Sequence, residues 1–179
     1  MNFGIFRPDG KLAEELAGVH IACWREAYHA MVPASVLQTT NLEQHITKWQ
    51  GFLADPERII YAASTEENAV AGFVSAGPPS EILFDGMDGD IAALYILEAF
   101  HRQGLGRRLL GAVAKEWLAR GGHSLALGVL AENHQARRFY ESLGAKLVRT
   151  GTFEWHGHPL PDAIYVFENL PELAENTSL

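Results

Sequence analysis

The strongest constraint on this chain is a short glycine turn set between an apolar run and an amphipathic one. Asp90 to Leu97 reads as a central strand, apolar on both faces as a buried strand should be. Leu105 to Arg120 reads as a helix, with Leu105, Leu109, Val113 and Trp117 along one side. Between them lies Phe100-His101-Arg102-Gln103-Gly104-Leu105-Gly106-Arg107-Arg108. A helix N-terminus carries unpaired N–H groups and the positive end of the helix dipole, so it attracts phosphate. Gly104 and Gly106 remove Cβ atoms where a ligand would touch backbone. Arg102, Arg107 and Arg108 bring three cations to the same turn. The unit is expected to hold a pyrophosphate.

Two familiar phosphate motifs are excluded. The dinucleotide fingerprint needs Gly or Ala where this chain has Leu109, and no Gly-Lys-Ser/Thr closes a P-loop. The turn instead resembles the phosphate loop of the GNAT superfamily of acyl-CoA-dependent N-acetyltransferases, Arg/Gln-x-x-Gly-x-Gly/Ala after a central strand. A later stretch strengthens the resemblance. Asn133, Ala136, Phe139, Tyr140 and Gly144 match the family's Asn-x-x-Ala-x-x-Phe/Leu-Tyr motif and the Gly that follows it. One strand-like run, Ser124 to Leu130, separates the two motifs, as it should. The departures are His101 for Arg or Gln, Glu98 for Pro, and Ala145 where an aromatic often follows the glycine.

The resemblance implies an α/β (α+β) fold. One domain over residues 1–179 would hold a mixed sheet of about seven strands, splayed between the fourth and fifth and flanked by about four helices. It implies acetyl transfer from acetyl-CoA to a primary amine by direct attack. Backbone at Leu94 and Ile96 would hold the pantetheine arm. Backbone amides of Arg102, Gln103, Gly104, Leu105, Gly106 and Arg107 would hold the pyrophosphate, and an N–H near Ile96 the oxyanion. Tyr140 would protonate the leaving thiolate and Asn133 would touch the pantetheine. Asp90 matches the family's carboxylate position for a general base, with Glu98 second. The acceptor would meet Trp24 and Tyr28, with His29, Trp155, His156 and His158 nearby. Arg137 and Arg138 could reach the ribose phosphate. Plainer readings stand beside these: Tyr140 as a packed aromatic, Asn133 as a helix cap, Trp24 as core, Asp90 as a solvated strand start.

The remaining sequence narrows the function class. A formal charge of −8 over 179 residues argues against nonspecific nucleic-acid binding and suits a small amine or peptide amine acceptor. Cys23 is the only cysteine, so no intrachain disulfide forms, and it reads as a small buried hydrophobe. No signal segment and no apolar run of about 18 residues is present, so a cytoplasmic location without membrane insertion is expected. His156-Gly157-His158 lacks a third ligand, so no metal is expected. The choice between monomer and homodimer stays open. So does an acyl-CoA-binding sensor without turnover, which would share the glycine turn but need neither proton donor nor base.

Overall fold

The computed structural model describes residues 2–38, 40–79, 87–155 and 157–175. Strand β1 (Gly4–Phe6) leads to helices α1 (Ala13–Tyr28), α2 (Ala34–Gln38) and α3 (Leu42–Ala54). The hairpin β2 (Ile59–Ser64) and β3 (Val70–Gly77) precedes β4 (Asp90–Ile96), α4 (Leu105–Ala119), β5 (Leu125–Leu130) and α5 (His134–Ser142). The chain closes with β6 (Lys146–Trp155), β7 (His158–Phe167) and α6 (Leu170–Glu175). Among the described residues, no helix is long and apolar enough to cross a membrane. Ser80 to Gly89 reads from the sequence as a loop, and most of it, like His156, lies outside the described residues.

Local chemistry sets the boundaries. Asn41 reads from the sequence as a helix cap, and its side chain accepts from the Gln44 amide at 3.1 Å at the start of α3. Left-handed glycines end α4 and α5, Gly121 and Gly144 both at φ +88°. The sequence reads as a first helix over Lys11 to Ala30, an irregular connection from Pro33 and a final strand over Ala163 to Phe167, and all three need correction. The first helix starts at Ala13 rather than Lys11, because Asp9 accepts from the Lys11 amide and holds Gly10–Leu12 as a 3-10 turn. Pro33 is followed at once by α2, consistent with its tolerance beside a helix start. The final strand begins at His158, five residues before the expected Ala163. Pro161 explains that difference. Its carbonyl accepts from Ala131 N at 2.8 Å, so its missing N–H falls on the β5 side, past the last β5–β7 pair at Leu130 and Asp162. The β6 ladder loses nothing to it.

The strands form one sheet in the order β1-β2-β3-β4-β5-β7-β6. Every neighbouring pair is antiparallel except β4 and β5, which run parallel. That parallel pair shares only the register Asp90 with Ala126. Beyond it β4 stays on β3 as far as Ile96, and β5 stays on β7 as far as Leu130. The sheet therefore opens toward the C-terminal ends of β4 and β5, as the resemblance implied. The two faces carry separate cores. Leu105, Leu109 and Val113 of α4 pack with Leu125, Leu127, Tyr165 and Phe167 on one side. Leu16, Val19 and Cys23 of α1 and Trp49 of α3 pack with Ile60, Val70 and Phe73 on the other.

Candidate active site

Gly104 immediately precedes α4 at φ +80°, and no side chain caps that helix. A Cβ at Gly104 would meet nothing within 4 Å. The first backbone bond of the helix runs from Arg108 N to Gly104 O at 3.1 Å, so the amides ahead of Arg108 project from the helix end. Open space over an uncapped helix N-terminus fits a pyrophosphate. Arg102, at φ +60°, and Gln103 are exposed beside it, and Arg107 is half-buried. Two expectations change here. Arg108 does not face the turn: its guanidinium donates to Phe3 O at 3.0 Å and ties α4 to the start of the chain. Gly106 serves helix packing, since its Cβ would lie 2.8 Å from Phe139 Cζ of α5. His101, the departure from the family pattern, has its own task. Its Nε2 donates to Ile96 O at 2.7 Å and holds the end of β4 against the turn.

At the mouth of the opening, Leu97 N donates to Ala71 O of β3 at 3.0 Å. Alternation along the strand then turns the N–H of Ile96 toward the gap. Tyr140 of α5 is buried, and among the described residues its hydroxyl has no hydrogen-bond partner. Burial raises its pKa, and the nearby Tyr28 phenol adds to the effect. Tyr28 and Tyr95 bring their hydroxyls within 3.0 Å of each other. Burial pushes Tyr95 well above the ordinary tyrosine range, with Tyr28 and Tyr140 contributing. Three protonated phenols, from α1, β4 and α5, thus gather at the opening. Sequence reasoning missed Tyr95 because it sits inside an apolar run. The available signal was its phase, one residue from both Leu94 and Ile96 and so on the opposite face.

Asn133 caps α5, accepting from Ala136 N at 3.1 Å, and its amide nitrogen is left without a partner among the described residues. Asp90 is not brought to the mouth. It is buried beside Ala126 at the closed end of the β4–β5 pair. That is about 20 Å along the strand from Ile96, too far for the expected base. Glu98 is exposed, and its backbone N–H donates to the Glu26 carboxylate at 2.9 Å. Arg137 is committed to Ala131 O and the Tyr165 hydroxyl, both at 3.0 Å, while Arg138 is exposed.

On the α1 face the expected acceptor residues converge. The Trp155 ring stands edge-on to Trp24 at 5.0 Å and to Tyr28 at 5.5 Å. His29 turns away, its Nδ1 held 2.9 Å from Glu26 O, and His158 is exposed. Burial pushes the Cys23 thiol up to about 12, with Glu26 adding to it, so it stays a thiol. Among the described residues, no group of three or more His, Cys, Asp or Glu side chains is placed to hold a metal ion.

His20 lies behind this wall, its ring 4.7 Å from Trp24 and 5.0 Å from Tyr95. Burial drives its pKa down to about 3, with His45 and Lys48 adding to the shift. The unfolded chain binds this proton below about pH 6.5, whereas the folded chain does not until far lower. Stability from this group is therefore full above pH 6.5 and lost as pH falls toward 3, by up to about 1.4 kcal/mol per unit. Melting curves across that window should show the slope, and His20→Phe should flatten it.

The family model described as "Acetyltransferase (GNAT) family" matches residues 21–145. The N-acetyltransferase YuaI of Bacillus subtilis is 32% identical over 144 residues, covering 80% of each chain. This chain belongs to the GNAT acetyltransferase family. The N-acetyltransferase Rv2669 of Mycobacterium tuberculosis is 28% identical over 160 residues, 87% of this chain and 97% of its own. Among solved structures, PaiA N-acetyltransferase of Thermoplasma acidophilum in complex with coenzyme A superposes with a TM-score of 0.72 at 16% identity, covering 90% of this chain and 98% of that one. NAA60 of Arabidopsis thaliana in complex with a bisubstrate analogue gives 0.68 at 16% identity, over 93% and 98% of the two chains. In this GNAT acetyltransferase the family match spans the turn, Tyr95 and Tyr140 and stops before β6.

Proposed function

We propose that this acetyltransferase moves the acetyl group of acetyl-CoA onto a primary amine of a small molecule or peptide by direct attack, without an acyl-enzyme. The observation that carries the reading is an unbonded, protonated Tyr140 hydroxyl in a sheet opening that borders an uncapped helix N-terminus. The coenzyme A in the PaiA structure and the bisubstrate analogue in the NAA60 structure support it. The amides from Arg102 to Arg107 grip the pyrophosphate, and the exposed Arg102 adds positive charge. Backbone at Leu94 and Ile96 pairs with the pantetheine arm, with the free amide nitrogen of Asn133 across the gap. The Ile96 N–H stabilises the oxyanion as the amine nitrogen bonds to the thioester carbon. As the carbon–sulfur bond breaks, Tyr140 gives its proton to the sulfur. Trp24, Tyr28 and Trp155 wall the acceptor side.

Two measurements test this. Calorimetry should show coenzyme A binding more tightly than ADP, because the pantetheine arm adds its contacts in the opening. Incubation with acetyl-CoA and a panel of primary amines should release free thiol. Binding without thiol release from any amine would point to a sensor. No heat with coenzyme A would remove the reading altogether.

A further inference from the structure

We propose that Asp162 is the carboxylate that receives the acceptor's ammonium group and takes its proton, so that cationic primary amines are the favoured substrates. This rests on the acetyl-transfer reading above. Asp162 lies on β7, opposite Leu130 of β5 and Gly151 of β6. Ala163, Tyr165 and Phe167 enter the α4-side core, so the alternate residues Asp162 and Ile164 face the α1 side. Trp155, which shares that face of β6, confirms it by touching Trp24 and Tyr28. Height along the sheet follows from register. From the Asp90–Ala126 pair, Tyr95 is five residues up β4 and Leu130 four up β5. Asp162 therefore looks across the opening at Tyr95, on the side where the acceptor wall stands.

The carboxylate itself points to a missing cation. Asp162 is only 8% exposed, yet its carboxylate makes no hydrogen bond or ion pair with any described residue. Burying a charge without a partner is expensive, and structures keep such a group where a ligand completes it. Its surroundings leave room. Gly151 presents no side chain, and a Cβ there would come within 3.1 Å of Asp162 Oδ1. The titratable and charged groups around it are few. β5 contributes none, β6 contributes Arg149 two pairs away, and β7 contributes His158 four residues back. From α1 and β4 come Tyr28 and Tyr95, their hydroxyls 3.0 Å apart. Among the described residues of β5, β6 and β7, Asp162 is the only carboxylate on this face. The ammonium proton passes to an Asp162 oxygen, and the nitrogen lone pair so freed attacks the thioester carbon. The sulfur then receives its proton from Tyr140, the second proton leaves the acylated nitrogen and restores the Tyr140 phenol, and Asp162 returns its own to water on product release.

Asp162→Asn tests this with acetyl-CoA and two probes, a linear diamine and a short peptide with a free amino terminus. For whichever probe the wild-type protein acetylates, kcat/KM should fall on the order of 10²-fold at neutral pH. The deficit should shrink as pH rises toward the amine's own pKa, because the amine then arrives already neutral. The heat of coenzyme A binding should be unchanged and the melting temperature not lowered, since the variant removes an unpaired buried charge. A structural role would instead lower the melting temperature and give a deficit equal at every pH. Asp162→Ala with added formate provides a second readout, with formate expected to restore rate. Unchanged kcat/KM in Asp162→Asn, or a deficit independent of pH without formate rescue, would overturn the proposal. A wild-type protein that releases no thiol from any amine would sink the parent reading instead, so the two failures are distinguishable.

Discussion

Tyr140→Phe is expected to lower kcat by about 10²- to 10³-fold while leaving coenzyme A affinity within about twofold. The substitution removes one oxygen that bonds to no described residue, so the folded state loses no hydrogen bond with it. The ring keeps its packing beside Phe139 and Phe167. What disappears is the hydroxyl proposed to protonate the departing thiolate. Burial, with Tyr28 beside it, holds the Tyr140 pKa above the ordinary tyrosine value. The acid form is therefore the stable one through the neutral range, and no fall in rate from its ionisation should appear below about pH 10. Thiol release under saturating acetyl-CoA measures the first effect and a kcat profile against pH the second. An unchanged kcat would take Tyr140 out of the chemistry.

Gly72→Ala should cost about 3 kcal/mol, with a fall in melting temperature of about 10 °C. Gly72 sits opposite Ile96, and Leu97 N already bonds Ala71 O. Gly72 and Ile96 therefore form a non-hydrogen-bonded pair, the closest approach that antiparallel strands make. A Cβ on Gly72 would lie 2.6 Å from Tyr95 O and 2.9 Å from Ile96 Cα. Those are backbone atoms, so relief requires moving the end of β4. The same segment aims the Ile96 N–H and the Tyr95 phenol, so coenzyme A binding should weaken together with stability. Gly18→Ala is the control. In α1 its new methyl would meet nothing within 4 Å, and the helix should gain about 1 kcal/mol. Equal melting temperatures for the two variants would refute the close-approach argument.

What the sequence revealed and what it concealed divide along physical lines. The glycine turn, the Asn41 and Asn133 caps and the two buried strands are local features, each announced by neighbours in the chain. The splay between β4 and β5 came through the family's motifs rather than through periodicity. Gly106 looked like a ligand-facing residue because its partner, Phe139, is thirty-three positions away. Arg108 looked like a phosphate contact for the same reason, its acceptor being Phe3. Asp90 matched a family position, yet the register of β4 leaves it at the closed end of the strand pair. Asp162 was invisible: after Pro161 it reads as a turn, and only pairing with Gly151 and Leu130 shows it to be an inward carboxylate.

The sheet ends in β6, which is paired on one side only, and the family match stops at Ala145, just before it. The groups proposed to grip the acyl donor, in the turn, α4, α5 and β4, all lie inside the matched span. Trp155 and Asp162 arrive on the terminal hairpin. With Trp155 and Asp162 selecting the acceptor as proposed, exchanging that hairpin would break one ladder, to β5, and change clientele while leaving the reagent-holding half in place.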